Sequence, residues 1–216
     1  MASARTFDLV IWDRNGTLLD DTVLCYSIAD EMRVERGMQR MRGIEEYRAN
    51  FTFPVIEYYK TMGYKFETES FEDISRQFVA RYAERFPTCS LQPCAEETLA
   101  AVLQSGVRQV LLSATGQEKL DEQVAFFRLN RYFDRVIGGE NNLAHGKAGY
   151  ATDFLRESGV EPARALFVGD TDHDFEIASA IGCGSALLVS GHQSREHLAS
   201  LGARLIESLC EVPALL

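Results

Sequence analysis

Short apolar runs and stretches of helical periodicity alternate along most of this chain, and the two patterns predict different elements. The mostly apolar run at 7–12 predicts a strand that is buried on both faces of a parallel sheet. From residue 95 onward the alternation continues, which is typical of α/β folds with a doubly wound, largely parallel sheet. The later predicted strands are 108–112, 135–137, 165–168, 185–189 and 204–206, and the predicted helices are 95–104, 117–127, 149–158, 175–181 and 195–201, with room for a terminal helix.

Residues 21–88 have a different pattern, rich in Glu, Arg, Tyr and Phe and without β-branched runs. This pattern predicts a succession of helices at 22–36, 44–49, 54–62 and 71–86. The apolar positions of the last helix recur at spacings of three and four: Phe71, Ile74, Phe78, Tyr82 and Phe86. We therefore expect a helical cap domain at 21–88, inserted into a core domain formed by 1–20 and 89–216. The alternative is a helix bundle that belongs to the core itself.

Composition narrows the functional classes. A formal charge of −10 and a pI near 4.9 argue against a nucleic-acid surface and against binding to an anionic membrane. No apolar run approaches membrane-spanning length, and residues 1–6 have no long apolar stretch, so we expect no secretory signal. The five cysteines are an odd number without a close pair, so we expect reduced thiols in a cytoplasmic protein and neither a disulfide framework nor a zinc site.

Polar residues directly follow the first predicted strand. Asp13 stands where the strand ends, Asn15-Gly16 is a turn signal, and the polar stretch 20–22 could cap the next helix. Ligands of open α/β sheets bind outside the carboxyl ends of the strands. A carboxylate beside the backbone amides of a tight turn suits either a metal ion or a phosphoryl group.

Three later segments place further chemistry at strand ends or before helices. Ser113 could donate a hydrogen bond to a phosphoryl oxygen, and the Lys147 ammonium could offset charge between a carboxylate and an anionic substrate. Asp170 and Asp174 lie four residues apart across a strand-to-helix turn and suit Mg²⁺. Each also has an ordinary interpretation: a turn serine, a solvated lysine, and acids at a helix N-terminus. We expect His173 to be a surface side chain, whereas the loop of His192 could line a pocket.

The stretch Asp13-Arg14-Asn15-Gly16-Thr17-Leu18-Leu19-Asp20 resembles the first motif of the haloacid dehalogenase superfamily, usually Asp-x-Asp-Gly-Thr-Leu-x-Asp. Ser113, Lys147 and Gly169-Asp170 with Asp174 match the second, third and fourth motifs in order. The resemblance covers essentially the whole chain. Its nearest subgroup is the phosphoglycolate phosphatase-like enzymes with a mobile helical cap.

The resemblance implies a Mg²⁺-dependent phosphatase acting on a small phosphorylated metabolite. Asp13 would be the nucleophile that forms an aspartyl-phosphate, and Ser113 and Lys147 would hold the transferring phosphoryl group. Asp170, Asp174, Asp13 and the backbone carbonyl of Asn15 would bind Mg²⁺. The implied substrate-binding set is Asn15, Gly16, Thr17, Ser113, Ala114 and Lys147. Such a protein would be a monomer or a homodimer.

Asn15 departs from the motif, because phosphatases of this family have there a second aspartate that protonates the leaving oxygen and activates water. An amide can do neither. The chain could belong to a subgroup that handles good leaving groups or uses another proton donor, could be an engineered Asp→Asn variant, or could have become a binding module. The surviving Asp13, Lys147, Asp170 and Asp174 favour the first explanation.

Two other chemistries of the same fold stay open. A dehalogenase would not need Asp170 and Asp174 as metal ligands, and a phosphonate hydrolase would need a cap lysine, for which the candidates are Lys60 and Lys65. Arg14 is also unusual at its position, and could meet an acidic substrate group or pair with an acid on the far side of the sheet. The cap arginines hint at an anionic ligand: Arg36, Arg40, Arg42 and Arg48.

Overall fold

The core is a six-stranded parallel sheet, seen in a computed structural model that describes residues 6–139 and 146–216. Its strands are β1 (Leu9–Trp12), β4 (Arg108–Gly116), β5 (Arg135–Gly139), β6 (Ala165–Gly169), β7 (Gly184–Leu188) and β8 (Arg204–Ile206). Their order across the sheet is β5-β4-β1-β6-β7-β8. The helices packed on it are α5 (Ala95–Gln104), α6 (Gln117–Phe126), α7 (Lys147–Ser158), α8 (Asp172–Ile181) and α9 (Arg195–Ser200). The predicted doubly wound α/β fold is confirmed.

Both faces of the sheet are covered, which explains the uninterrupted apolar run of β1. Val10 and Trp12 pack on one face into a buried cluster with α5 and α6. Leu9 and Ile11 pack on the other face with α7 and α8. All four of these side chains are at most 1% exposed. A central strand between two helical layers needs apolar residues at every position.

The register of the sheet brings the predicted site residues to one edge. Trp12 of β1 is level with Leu111 of β4 and with Val168 of β6. The residues that follow these three positions therefore emerge side by side at the carboxyl ends of adjacent strands. Asp13, Ser113 and Asp170 belong to these three segments.

Residues 21–88 contain four helices, and their bounds agree with the predicted ones to within a few residues: α1 (Thr22–Glu35), α2 (Ile44–Asn50), α3 (Val55–Thr61) and α4 (Phe71–Arg85). They share a hydrophobic cluster, centred on Ile28, Met32 and Ile74, that is separate from the two clusters of the sheet. A short antiparallel pair, β2 (Leu19–Asp20) with β3 (Ser90–Leu91), joins the two ends of this block. The sequence did not predict these strands because two residues are too few to show a period. The division into a cap and a core domain stays a prediction.

Several boundaries differ from the predicted ones for local reasons. β4 continues through Gly116 after an irregularity beyond Leu112, so Ser113 lies inside the strand and not after it. α8 begins at Asp172 because Thr171 and Asp174 form a capping box. The terminal segment is a 3₁₀ helix, Leu209–Leu215, and contains Pro213.

The expectation of reduced thiols is wrong for two of the five cysteines. Cys94 and Cys210 form a disulfide across 116 residues of sequence, whereas Cys25, Cys89 and Cys183 are free. The fold places the start of α5 against the terminal 3₁₀ helix, a proximity that sequence spacing does not show. Disulfides are rare in cytosolic proteins, and the cytoplasmic location stays a prediction.

No helix within residues 6–139 or 146–216 is long and apolar enough to cross a membrane. The prediction that residues 1–6 hold no secretory signal falls mostly on residues 1–5, which lie outside the described residues.

Candidate active site

Lys147 lies between two carboxylates at the carboxyl edge of the sheet. It is the first residue of α7, and its Nζ donates to Asp13 Oδ1 and, at 2.8 Å, to Asp174 Oδ1. The lysine is 5% exposed, Asp13 8% and Asp174 2%. Burial lowers the pKa of Lys147, but the two carboxylates outweigh it and raise that pKa above its usual value, so the side chain is a cation. The structure thus brings together the residues of the predicted first, third and fourth motifs.

Asp170 lies beside this pair and is fully buried. Its Oδ1 accepts from Thr17 Oγ1 at 2.8 Å, and its Oδ2 accepts from the backbone N–H of His192 at 2.7 Å. Two glycines make room for it, since a Cβ at Gly16 would lie 2.3 Å from Asp170 Oδ2 and a Cβ at Gly191 would lie 2.2 Å from it. Gly16 also has a φ of +74°, so the turn after β1 needs glycine on both counts.

Asp13, Asp170 and Asp174 offer carboxylate oxygens that all lie within 4.8 Å of one another. Burial raises the pKa of Asp13 to about 6, although the charge of Lys147 opposes this shift. Burial also raises the pKa of Asp170 to about 7, and the neighbouring carboxylates add to that shift. Burial also acts on Asp174, but the charge of Lys147 outweighs it and lowers the pKa of that carboxyl. Three buried carboxylates beside one lysine suit a further cation, and oxygen ligands of this kind fit Mg²⁺.

Ser113 and Ala114 lie in the irregular part of β4. Ser113 is 3% exposed, and its Oγ accepts the backbone N–H of Thr115 at 3.2 Å. Ala114 is half-buried, and a Cβ at Gly139 of the neighbouring strand would lie 2.9 Å from its carbonyl oxygen. These residues therefore stand at the same edge of the sheet as Asp13.

Asn15 is held by a network that sequence reasoning did not find. Its Nδ2 donates to Asp21 Oδ2 and, at 2.8 Å, to the Tyr82 hydroxyl of α4. The hydroxyl donates in turn to Asp21 Oδ2 at 2.7 Å. The spacing of Tyr82 places it on the apolar face of its helix and gives no signal for this role. The amide of Asn15 therefore ties the turn after β1 to the predicted cap.

Asp21 belongs to the polar stretch 20–22 that could cap α1, and it occupies the N-cap position, but its side chain makes no capping hydrogen bond. Its carboxylate instead accepts from the backbone N–H of Gly16 at 2.8 Å and faces His192 Nε2 at 3.2 Å. Burial opposes the ionised form, but the His192 bond and charge dominate and hold the pKa of Asp21 well below its usual range. Burial likewise opposes the charged imidazole, but Asp21 raises the pKa of His192 to about 9.

His192 is thus a buried residue of the site region, and its Nδ1 lies 3.0 Å from the Tyr47 hydroxyl of α2. The same loop accepts two hydrogen bonds from Arg48, at Ser190 O (2.8 Å) and at Gly191 O (3.0 Å). Two residues of the helical block 21–88 therefore contact the loop that supports Asp170.

His173 is half-buried and not a plain surface side chain, because Phe53 stacks on its ring at a centroid distance of 4.8 Å. Lys60 and Lys65 of the helical block 21–88 are exposed, and Lys60 pairs with Glu57 at 2.7 Å. The structure does not bring Lys60 or Lys65 to Asp13.

The sequence profile of the haloacid dehalogenase-like hydrolases matches residues 10–188. The chain is 27% identical over 192 residues to a phosphoglycolate phosphatase of Pseudomonas savastanoi pv. phaseolicola, covering 85% of this chain and 70% of that protein. It is 28% identical over 192 residues to a phosphoglycolate phosphatase of Aquifex aeolicus, covering 85% of each.

The fold is similar to that of a haloacid dehalogenase-like family protein from Streptococcus pneumoniae, with a TM-score of 0.80, 18% identity, and coverage of 97% of this chain and 98% of that one. A predicted phosphoglycolate phosphatase from Haemophilus somnus is similar too, with a TM-score of 0.76, 18% identity and 99% coverage of both chains. The profile match spans well over half of the sequence, and this chain belongs to the haloacid dehalogenase-like hydrolase family.

Proposed function

We propose that this protein is a Mg²⁺-dependent phosphatase that hydrolyses a small phosphorylated metabolite through an aspartyl-phosphate on Asp13. One observation carries the proposal: Lys147 lies between Asp13 and Asp174, inside a cluster of buried carboxylates completed by Asp170. A nucleophilic carboxylate needs a neighbouring cation before it can approach a phosphate ester, because both groups are anionic. The names of the relatives, phosphoglycolate phosphatases, support this class of substrate.

In the proposed reaction a carboxylate oxygen of Asp13 attacks phosphorus in line, and the bond to the ester oxygen breaks. Water then attacks the aspartyl-phosphate, which releases inorganic phosphate and restores the carboxylate. Lys147 and Ser113 hold the oxygens of the transferring group, and the backbone of the 15–17 turn and of Ala114 lines their position. Mg²⁺, bound by Asp13, Asp170, Asp174 and the carbonyl of Asn15, would supply positive charge for the phosphoryl oxygens.

Asn15 limits the proposed substrates. Its amide cannot give a proton to the leaving oxygen or take one from water, and this kind of catalysis contributes on the order of 10²–10⁴ in rate. Phosphates with good leaving groups need such a donor least. We therefore propose that acyl or aryl phosphates turn over faster than alkyl phosphates.

The test is release of phosphate from acetyl phosphate and p-nitrophenyl phosphate, with Mg²⁺ and with EDTA. The variants are Asp13→Asn, which removes the nucleophile, and Asp170→Asn, which removes a metal ligand. Arg76→Gln on the exposed face of α4 is the matched control. We expect Mg²⁺-dependent turnover in the chain and in the control, and loss of turnover in the other two.

Phosphate release that persists in EDTA and in Asp170→Asn would contradict the Mg²⁺ dependence. No phosphate release from either substrate would leave a dehalogenase open, for which 2-haloacids are the next substrates. Affinity for phosphate esters without turnover of either substrate would point to a binding module. Each of these results would overturn the proposed reaction.

A further inference from the structure

Arg14 is a buried guanidinium whose partners are all neutral. It is 3% exposed, and it donates to Asn15 Oδ1 at 3.3 Å, to Thr115 Oγ1 at 3.3 Å and to the Tyr82 hydroxyl at 3.2 Å. All three contacts are long for hydrogen bonds from an arginine. Among the described residues no carboxylate lies within ion-pair distance of it.

The cap arginines, which had suggested an anionic ligand, are each paired with a carboxylate. Their ion pairs are Arg36–Glu69, Arg40–Asp30, Arg42–Glu46 and Arg48–Glu45. These side chains are therefore already neutralised within the protein. Arg14 is therefore the better candidate for binding an anionic ligand.

A buried charge is costly unless a charge of opposite sign meets it. Asp21 is the nearby candidate, but its oxygens already accept from Gly16, Asn15 and Tyr82 and face His192. Within the described part of the chain, the charge of Arg14 therefore acts on Asp21 only without a direct hydrogen bond or ion pair, although the whole chain carries a formal charge of −10. A ligand anion would supply what the protein does not.

The guanidinium lies between the turn after β1, the end of β4 and helix α4. Arg14 follows Asp13 directly, and Thr115 comes two residues after Ser113 at the end of β4. On the other side lies Tyr82, which belongs to the cap helix α4. Arg14 therefore stands between the proposed phosphoryl site and the cap.

We propose that Arg14 binds a second anionic group on the substrate and thereby selects phosphate esters that carry a carboxylate or a further phosphate. The planar guanidinium is suited to hold such a group through two parallel hydrogen bonds. The group takes the place of the Tyr82 hydroxyl, which now accepts from both Arg14 and Asn15. This inference rests on the proposed phosphatase function.

The test compares the dissociation constants of three phosphate esters that differ in the group at the other end of a two-carbon chain: 2-phosphoglycolate, ethyl phosphate and ethylene glycol bisphosphate. Calorimetry with Mg²⁺ in an Asp13→Asn background measures binding without turnover. Arg14→Gln removes the charge, Arg14→Lys keeps it, and Arg76→Gln is the control. Circular dichroism and thermal unfolding check that each variant is folded, and the ratio of two ligands within one variant does not depend on the amount of active protein.

We expect one of the two anionic esters to bind tighter than ethyl phosphate, and the better of them identifies the group. Arg14→Gln should weaken the binding of that ester by roughly tenfold or more, because a charge-assisted hydrogen bond is lost. The affinity for ethyl phosphate should stay nearly unchanged. Arg14→Lys should recover part of the preference, and Arg76→Gln should keep all of it.

Equal affinity for the three esters, or an equal loss for all of them in Arg14→Gln, would overturn the inference and leave the phosphatase standing. If none of the three esters binds and the unmodified chain does not turn over acetyl phosphate, the proposed function is rejected instead.

Discussion

At the scale of single residues, Asn15 and Asp21 act as a pair. The amide of Asn15 donates to a carboxylate that the surrounding donors keep ionised. An aspartate at position 15 would put a second carboxylate against the first. Two ionised carboxylates this close repel each other, so we expect the aspartate to destabilise the site unless Asp21 changes too.

Asn15→Asp should lower the free energy of unfolding by about 2 kcal/mol, because two buried carboxylates then share the donors of one. Urea unfolding at pH 7 measures the change. The swap Asn15→Asp with Asp21→Asn restores one acid and one amide, and should recover most of the loss. An Asn15→Asp chain as stable as the parent would contradict the pairing.

His192 predicts how stability depends on pH. Its folded pKa of about 9 lies above the ordinary 6.5, so its contribution is fully present below pH 6.5 and is lost as the pH rises through 9. The shift corresponds to at most on the order of 3 kcal/mol. His192→Gln should therefore lose its stability deficit relative to the parent between pH 8 and pH 10.

Urea unfolding of both chains in EDTA at pH 6, 8 and 10 gives this difference. The subtraction matters because the free thiols Cys89 and Cys183, whose pKa values burial raises to about 11, also lower stability at high pH. A deficit that stays constant over this range would show that His192 is neutral in the folded protein.

At the scale of elements, the loop after β7 supports Asp170 through a backbone that only glycine allows. A Cβ at Gly191 would lie 2.2 Å from Asp170 Oδ2. Gly149, inside α7, has nothing within 4 Å of the same position. A methyl group added at Gly191 would therefore displace Asp170, whereas one added at Gly149 would meet open space.

Gly191→Ala should weaken Mg²⁺ binding roughly tenfold or more, as expected when a residue that orients a ligand is disturbed. Gly149→Ala should leave Mg²⁺ affinity unchanged and stabilise the fold by roughly 0.5–1 kcal/mol, because alanine is the better helix former. Calorimetric titration of Mg²⁺ and thermal unfolding measure the two effects. Unchanged affinity in Gly191→Ala would contradict the proposed role of Asp170 as a metal ligand.

At the scale of the whole molecule, the disulfide Cys94–Cys210 fastens the terminal 3₁₀ helix to α5 across 116 residues. Closing a long loop stabilises a protein mainly by restricting the unfolded chain, in the chain-entropy account. The chain end that it fastens packs into the cluster on one face of the sheet, through Leu209 and Val212. Reduction should therefore act on the core and not on the site alone.

Reduction by dithiothreitol should cost roughly 2–5 kcal/mol, which for a chain of this size lowers Tm by on the order of 10 °C. The double variant Cys94→Ser with Cys210→Ser should unfold at the reduced temperature with or without the reductant. Thiol titration of the unfolded, unreduced chain should find three free cysteines. Five titratable thiols would contradict the bridge.

The sequence by itself determined the order of the elements and the edge at which the chemistry lies. Apolar runs report burial on both faces of a sheet, and the residues that follow parallel strands must meet at one edge, so Asp13, Ser113 and Asp170 could be placed without coordinates. The order of the motifs along the chain then identified Lys147 and Asp174 as further candidate site residues. These features are local, and local patterns carry them.

Only the tertiary structure decided the partners of Asn15, the charge environment of Arg14 and the disulfide. Tyr82 and Asn15 are 67 residues apart, His192 and Asp21 171, and the two bridged cysteines 116. Hydrogen bonds and ion pairs over such separations depend on how the helical block and the loops pack on the sheet. No periodicity or spacing in one sequence encodes that packing, which is why the residue that departs most from its motif could be explained only after the chain was folded.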